Sequence, residues 1–416
     1  MIQTSIITIG DELLIGQVID TNSAWMAQQL NKSGIRVARR VAVGDVWDEI
    51  WGTLVEESKH ADIILITGGL GPTADDITKP LLCKFFSGKM VVDEGALQNV
   101  TTIFTNVLKK PMIERNLKQA EVPDNCKVLL NKRGTAPGMW FEKAGKIYVS
   151  MPGVPHEMKG MMIDDVLPLL NQHFQFPHIA HRTLLTAGVG ESFLADLLSD
   201  YESSLPIHIK LAYLPNYGMV RLRISSTGDE KEQTEQEIDK YFITLQNIVY
   251  SYLVTNEDES MQQVVAKLLL QKNKTISTAE SCTGGYIAHL LTEKAGASAF
   301  YSGSVVSYSY NAKECLLQVD KTTLESKGAV SEEVVIQMAK GALKSLQTDY
   351  TIAVSGIMGP DGGTEDKPVG TVWVAVGNST KIITEKFNFR FDRKRNIELT
   401  STYALNMFRK FILSNF

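Results

Sequence analysis

The run Asp62-Ile63-Ile64-Leu65-Ile66-Thr67 is apolar on both faces and leads straight into Gly68-Gly69-Leu70-Gly71-Pro72-Thr73. A strand can be apolar on both faces only where both are covered, as at the centre of a parallel sheet between helices. The surrounding segments keep the same rhythm. Ser5–Ile9 is a short β-rich run ending at Gly10, and apolar Trp25, Met26 and Leu30 predict a helix over 21–33. Val37–Val43 reads as a second strand and Ile50–Ser58 as another helix. Strands alternating with helices define an α/β domain, here covering residues 1–172.

Phe176, Pro177, His178 and His181 mark a boundary, after which the pattern changes. Over 178–252 the order is strand, helix, two strands, helix, with Thr183–Val189 and Val220–Ser226 as strands and Lys231–Tyr250 as a charged helix. This predicts a small α+β module. The acidic stretch Asn256–Glu259 separates it from a last α/β unit, 258–416, which begins with a helix over Val264–Gln271 and a strand over Thr275–Thr278. Strands at Tyr350–Ser355, Thr371–Val376 and Lys381–Phe389 follow, then a terminal helix from about 394. Three domains are expected, and 416 residues suffice for their cores without cross-links.

Charge narrows the function classes. The 42 basic and 47 acidic residues leave a net charge of −5, so no global positive field draws the chain to nucleic acid or anionic lipid. No apolar run approaches the ~18 residues of a membrane span, and no basic segment precedes Asp11 as a signal peptide requires. Cys83, Cys126, Cys282 and Cys315 form no CxxC pair, which argues for reduced thiols rather than disulfides or structural zinc. A cytoplasmic protein without a membrane partner is expected.

Two loops carry chemistry. Gly68, Gly69, Gly71 and Thr73 lie where a buried strand meets a helix, where backbone N–H groups can approach an anion. The loop has neither GxxxxGK[ST] nor GxGxxG, so it is neither a P-loop nor a dinucleotide fingerprint. Asp75 and Asp76 follow in the first helical turn, where they either cap the helix or join Asp11 and Glu12 around a cation. An oxygen-rich cluster beside a phosphate loop suits Mg²⁺ or a similar hard ion. Met151-Pro152-Gly153-Val154-Pro155-His156-Glu157 supplies a third corner that closes the site, and its His156-Glu157 lacks the second histidine of a zinc protease site.

The second loop, Ala279-Glu280-Ser281-Cys282-Thr283-Gly284-Gly285, offers two hydroxyls and a thiol at a strand-to-helix corner. Ser281 reads either as a helix cap or as a nucleophile. His289, the only histidine beyond residue 250, lies eight residues on. That is roughly 12 Å along a helix, too far for a catalytic triad. The base must then be a lysine, a tyrosine or a carboxylate, with Tyr308 and Lys313 at the next corner. A lysine serves only if burial or a nearby cation depresses its pKa. Cys282 competes as nucleophile but has no histidine nearby to form a thiolate. The Gly/Pro-rich loop over 353–364 and the cations after Asp392 complete the set.

These segments together resemble the CinA family (competence/damage-inducible protein A) over nearly the whole chain: Thr8–Gln17, Asp20-Thr21-Asn22, Gly68–Asp76, Gly134–Gly138, Met151–Pro155 and the Ser281 loop. The resemblance implies a three-layer MoaB/MogA-like N-terminal domain with metal-dependent ADP-ribose pyrophosphatase activity. Mg or Co would be its cation, with Asp11, Glu12, Asp75 and Asp76 as candidate ligands. It also implies a KH-like middle domain, in which no GxxG corner supports RNA binding, and a C-terminal nicotinamide mononucleotide (NMN) deamidase needing no cofactor. Ser281 would be the nucleophile and Tyr308 and Lys313 its activating partners. Thr283, Gly284, Gly285, Ser298, Ser355, Gly356 and Arg393 or Arg395 would contact substrate. A homodimer acting on NMN and ADP-ribose is implied, with nucleic acid not an expected partner. The sequence has Tyr310 where the family usually has Asn and Ser355 where it usually has Thr, and its spacing around Asp392 differs. The rival reading is a non-enzymatic competence or DNA-damage adaptor that binds nucleotides.

Overall fold

The computed structural model describes residues 2–73 and 76–415, which form two compact units. One runs to Ile179 and includes Thr227–Thr234; the other comprises Ala180–Ser226 and Glu235–Phe416. Helices flank the first unit's main sheet on both faces, as the doubly apolar central strand requires.

In the first unit, β1 (Gln3–Ile9), β2 (Arg36–Val43) and β3 (Ile63–Thr67) pair in parallel. β4 (Met90–Val92) and β5 (Glu121–Pro123) form a separate two-stranded ribbon. β6 (Lys127–Leu129), β7 (Gly138–Lys143) and β8 (Lys146–Met151) complete the main sheet in the order β2-β1-β3-β8-β7-β6. β8 is parallel to β3, and the last two strands are antiparallel. Alternate side chains of β3 enter different cores, Ile64 and Ile66 on one face and Ile63 and Leu65 on the other. The helices Thr21–Lys32 and Trp47–His60 start earlier or end differently by a few residues from the sequence expectation, because Asp20 caps the first and Trp47 packs against the core.

The second unit begins with β9 (His178–Ala187), so the Pro/His stretch predicted as a boundary ends inside a strand. β10 (Ile209–Asn216), β11 (Met219–Gly228) and β12 (Leu253–Thr255) join it in the order β10-β11-β9-β12. The short β12 lies where the sequence predicts only a linker. Its central residue Val254 packs on the core formed by the following domain, and so does Met219. β13 (Ile276–Glu280), β14 (Tyr301–Val306) and β15 (Tyr350–Gly356) are parallel, and β16 (Thr371–Gly377) and β17 (Ile382–Asn388) antiparallel. Their order is β14-β13-β15-β16-β17. The helix Arg393–Ser414 is capped by Asp392, whose carboxylate accepts the Arg395 N–H at 3.0 Å. Among the described residues no helix is long and apolar enough to cross a membrane.

Candidate functional sites

In the first unit, parallel register carries the ends of β1, β3 and β8 to one rim, with Thr8 opposite Thr67 and Thr67 opposite Met151. Gly10, the glycine loop and Pro152-Gly153 thereby line one cleft of about 400 Å³. Gly68 is required here for packing: its φ is +113°, and a Cβ would lie 2.2 Å from the Ile9 carbonyl oxygen. Gly69, at φ +64°, likewise leaves no room beside the Thr78 hydroxyl. Asn22 donates to the Gly153 carbonyl at 2.7 Å and fastens the rim.

The four expected metal ligands do not form one set. Asp11 is turned away, exchanging hydrogen bonds with Asp45: its N–H donates to the Asp45 carboxylate at 3.1 Å, and its own carboxylate accepts the Asp45 N–H at 3.2 Å. Glu12 and Asp76 line the cleft, and Asp75 lies outside the described residues. Asp76 accepts from the Thr73 N–H at 2.8 Å and from the Thr73 hydroxyl. Thr73 is therefore committed to holding Asp76. Among the described residues no three His, Cys, Asp or Glu side chains cluster as metal ligands. The carboxylates fit a hard cation shared with a ligand's phosphates, which needs only one or two protein oxygens, and do not fit an all-protein cage.

Lys79 escaped the sequence reading, and Glu157 entered it only as the end of the third corner. Lys79 is 7% exposed, donates to the Gln119 carbonyl at 2.6 Å and lines an adjoining cleft of about 540 Å³. Burial lowers its pKa to about 8. Glu157 faces the first cleft, accepts from Asn131 at 2.6 Å, and is pushed up by burial. Lys79 does not stand out in sequence, where it reads as an ordinary helix-surface charge.

In the second unit the corner after β13 holds Ser281, and the corner after β14 leads to the helix Tyr310–Leu317 carrying Lys313. Lys313 is 1% exposed, and its Nζ lies 2.9 Å from Ser281 Oγ and 2.7 Å from the Ser307 carbonyl oxygen. Burial lowers the lysine to about 8, so a substantial neutral fraction exists near neutral pH. With one N–H held by the Ser307 carbonyl, the lone pair of the neutral amine can face the serine hydroxyl. Cys282 is the opposite case: burial pushes its thiol up to about 12, which removes it as a nucleophile. His289 lies against Tyr286, with ring centroids 6.0 Å apart, and takes no part.

Glu280 organises this corner and was missed as a functional residue. It is fully buried, and its carboxylate accepts from the Thr283 hydroxyl at 2.6 Å and from the N–H groups of Gly285, Ile287 and Ala288 at 3.1, 3.0 and 2.8 Å. This corrects one expectation: Thr283 spends its hydroxyl inside the protein rather than on substrate. The N–H groups of Cys282 and Thr283 follow the serine directly and lie outside the set that Glu280 accepts from. Gly284 and Gly285 adopt positive φ of +63° and +96°, and a Cβ at Gly284 would meet only open space.

Tyr308 is no relay between serine and lysine, which touch directly. Its hydroxyl accepts from Arg393 Nη2 at 2.9 Å, and Arg393 Nη1 donates to the Gly359 carbonyl at 2.8 Å. Arg395 instead lies over the Phe391 ring, 4.1 Å from its centroid, so Arg393 is the arginine of this corner. Ser355 is buried and donates to the Ala329 carbonyl at 2.7 Å. Gly356 is set by packing, since a Cβ would lie 2.7 Å from Val372. Ser298 is not brought to this corner. It precedes the start of β14, whereas Ser281 follows the end of the adjacent parallel β13, so they sit at opposite ends of neighbouring strands, roughly 20 Å apart.

Comparison with known proteins matches this division. Residues 5–172 match the family described as a probable molybdopterin binding domain, 181–254 the damage-inducible protein CinA KH domain, and 258–412 the CinA C-terminal domain. The chain is 46% identical over 409 residues to a CinA-like protein of Cytophaga hutchinsonii, covering 98% of both chains. It is 42% identical over 415 residues to a CinA-like protein of Flavobacterium psychrophilum, covering 100% of this chain and 99% of that one. The solved structure of competence damage-inducible protein A from Klebsiella pneumoniae is 38% identical, covers 36% of this chain and 93% of that chain, and has a TM-score of 0.35.

Proposed function

The chain belongs to the CinA family, and on that premise we propose that its C-terminal domain is a serine amidase that hydrolyses NMN to nicotinate mononucleotide and ammonia. The observation that carries this reading is the 2.9 Å contact between Ser281 Oγ and the buried Lys313 Nζ. Neutral Lys313 accepts the hydroxyl proton as Ser281 Oγ attacks the carboxamide carbon. The tetrahedral oxyanion is stabilised by the N–H groups of Cys282 and Thr283. Lys313 returns its proton to the leaving nitrogen, ammonia departs, and an acyl ester remains on Ser281. A water, deprotonated by Lys313, attacks that ester and releases the acid. Arg393 uses two of its five donors on Tyr308 and Gly359, leaving others for the substrate phosphate. Acid quenching during the first turnover should leave a nicotinate mononucleotide ester on the peptide containing Ser281. Adduct on Cys282 instead would move the nucleophile.

A second activity has its own observation, the convergence of Glu12, Asp76 and the glycine loop on one cleft. We propose metal-dependent hydrolysis of ADP-ribose there. Glu12 and Asp76 would hold the cation, which would supply neutralisation of pyrophosphate charge. The loop N–H groups orient the phosphates. Asp76→Asn should lower metal-dependent AMP formation at least about tenfold while leaving ammonia release from NMN intact. Undiminished AMP formation would reject the assignment.

A further inference from the structure

Tyr310 opens the eight-residue helix Tyr310–Leu317, and Lys313 lies one turn later on the same face. A helix this short has little stability of its own, so its seating depends on what grips it. Buried Leu317 anchors its far end. At its near end, Tyr310 Oη accepts the Ala329 N–H at 3.2 Å. The Ala329 carbonyl in turn accepts from Ser355 Oγ at 2.7 Å. Val354, the residue before Ser355, accepts the Ser281 N–H at 3.0 Å. Ser281, Lys313, Tyr310, Ala329 and β15 therefore form a closed circuit of hydrogen bonds and covalent chain. The loop bearing Ala329 is itself fixed: Lys367 Nζ donates to the Lys327 carbonyl at 2.7 Å, and Ser331 Oγ to the Gly328 carbonyl at 2.9 Å. Tyr310 and Ser355 thus meet on the two polar backbone groups of one residue, Ala329.

We propose that Tyr310 is a positioning residue of the amidase site, its hydroxyl acting through Ala329 and Ser355 to seat the helix that presents Lys313 to Ser281. This rests on the amidase reading of that site. Tyr310 touches neither reacting group. It acts by holding the first helical turn against the 327–331 loop, which keeps Lys313 close to the serine and shut from water. Cys282, from the corner after β13, is the titratable side chain facing Lys313; the other groups meeting the amine are the Ser281 hydroxyl and the Ser307 carbonyl.

The test needs no substrate. Phenylmethanesulfonyl fluoride sulfonylates an activated serine, the Oγ displacing fluoride while the base takes the hydroxyl proton. Its rate on Ser281, followed by peptide mapping across a pH series, reports the deprotonation of Lys313. In the wild type the rate should rise with a midpoint near pH 8. Tyr310→Phe should slow labelling at that pH about fivefold and move the midpoint upward as water reaches the amine. Ser355→Ala should do the same, Ser355→Thr should retain wild-type behaviour, and the double variant Tyr310→Phe/Ser355→Ala should be no worse than the worse single one. Midpoints unmoved in both single variants, even with lowered melting temperature, would overturn the positioning role and leave the amidase reading standing. Absence of Ser281 labelling in the wild type would overturn the amidase reading and this inference with it.

Discussion

A protonated lysine cannot accept a proton from serine, and an ordinary lysine is protonated throughout the physiological range. Lys313 escapes this because burial disfavours its charged form and lowers its pKa to about 8. Amidase activity should therefore rise with pH through a midpoint near 8 and level off about one unit above it. Lys313→Met should lose roughly 10³-fold in kcat. The same shift sets a stability term. Because the folded pKa lies below the unfolded value of 10.5, the unfolded chain holds more protons between about 8 and 10.5. This residue's contribution is thus unfavourable below about pH 8 and becomes less so as pH rises through that window. Thermal melts across it should show a pH-dependent gain that shrinks in Lys313→Met. An identical gain in both proteins would assign it elsewhere, Lys79 being the other buried lysine with the same sign.

At the scale of elements, the corner after β13 depends on a carboxylate that the sequence does not advertise. The sequence predicts that this strand stops at Thr278, with Ala279 and Glu280 belonging to the loop that opens the next helix. The strand runs on to Glu280 because four donors from the next two turns neutralise the burial cost. Glu280→Gln would point an amide donor at groups that are themselves donors. It should cost roughly 2–4 kcal/mol of stability, read from denaturant unfolding, and disorder the N–H groups after Ser281. Unchanged stability would mean that the cap is dispensable. What the sequence does reveal here follows from local chemistry: Gly68 and Gly69 mark a forced turn, and elimination of His289 leaves a lysine, a tyrosine or a carboxylate as the base, among which the family resemblance points to Lys313 and Tyr308. What it hides depends on contacts between distant segments. The Tyr310–Ala329 bond spans 19 residues and the Lys79–Gln119 bond 40. Likewise, nothing in a linear string distinguishes Arg393, turned toward Tyr308, from Arg395, turned onto Phe391.

Over the whole molecule, the α/β–α+β–α/β order was legible because alternating strand and helix patterns survive without tertiary information. Strand edges were less so: β9 begins within the expected boundary, and β12 forms from a segment short enough to read as linker. The residues of each candidate site come from a single compact unit, the glycine-loop cleft from the first and the Ser281 corner from the second. The most direct measurement is to supply the full chain and its Ser281→Ala variant with NMN and ADP-ribose in parallel, following ammonia, nicotinate mononucleotide and AMP. The account predicts equimolar ammonia and acid from the wild type, their loss by several orders of magnitude in the variant, and AMP formation that the variant retains. Near-wild-type ammonia release by Ser281→Ala would contradict it.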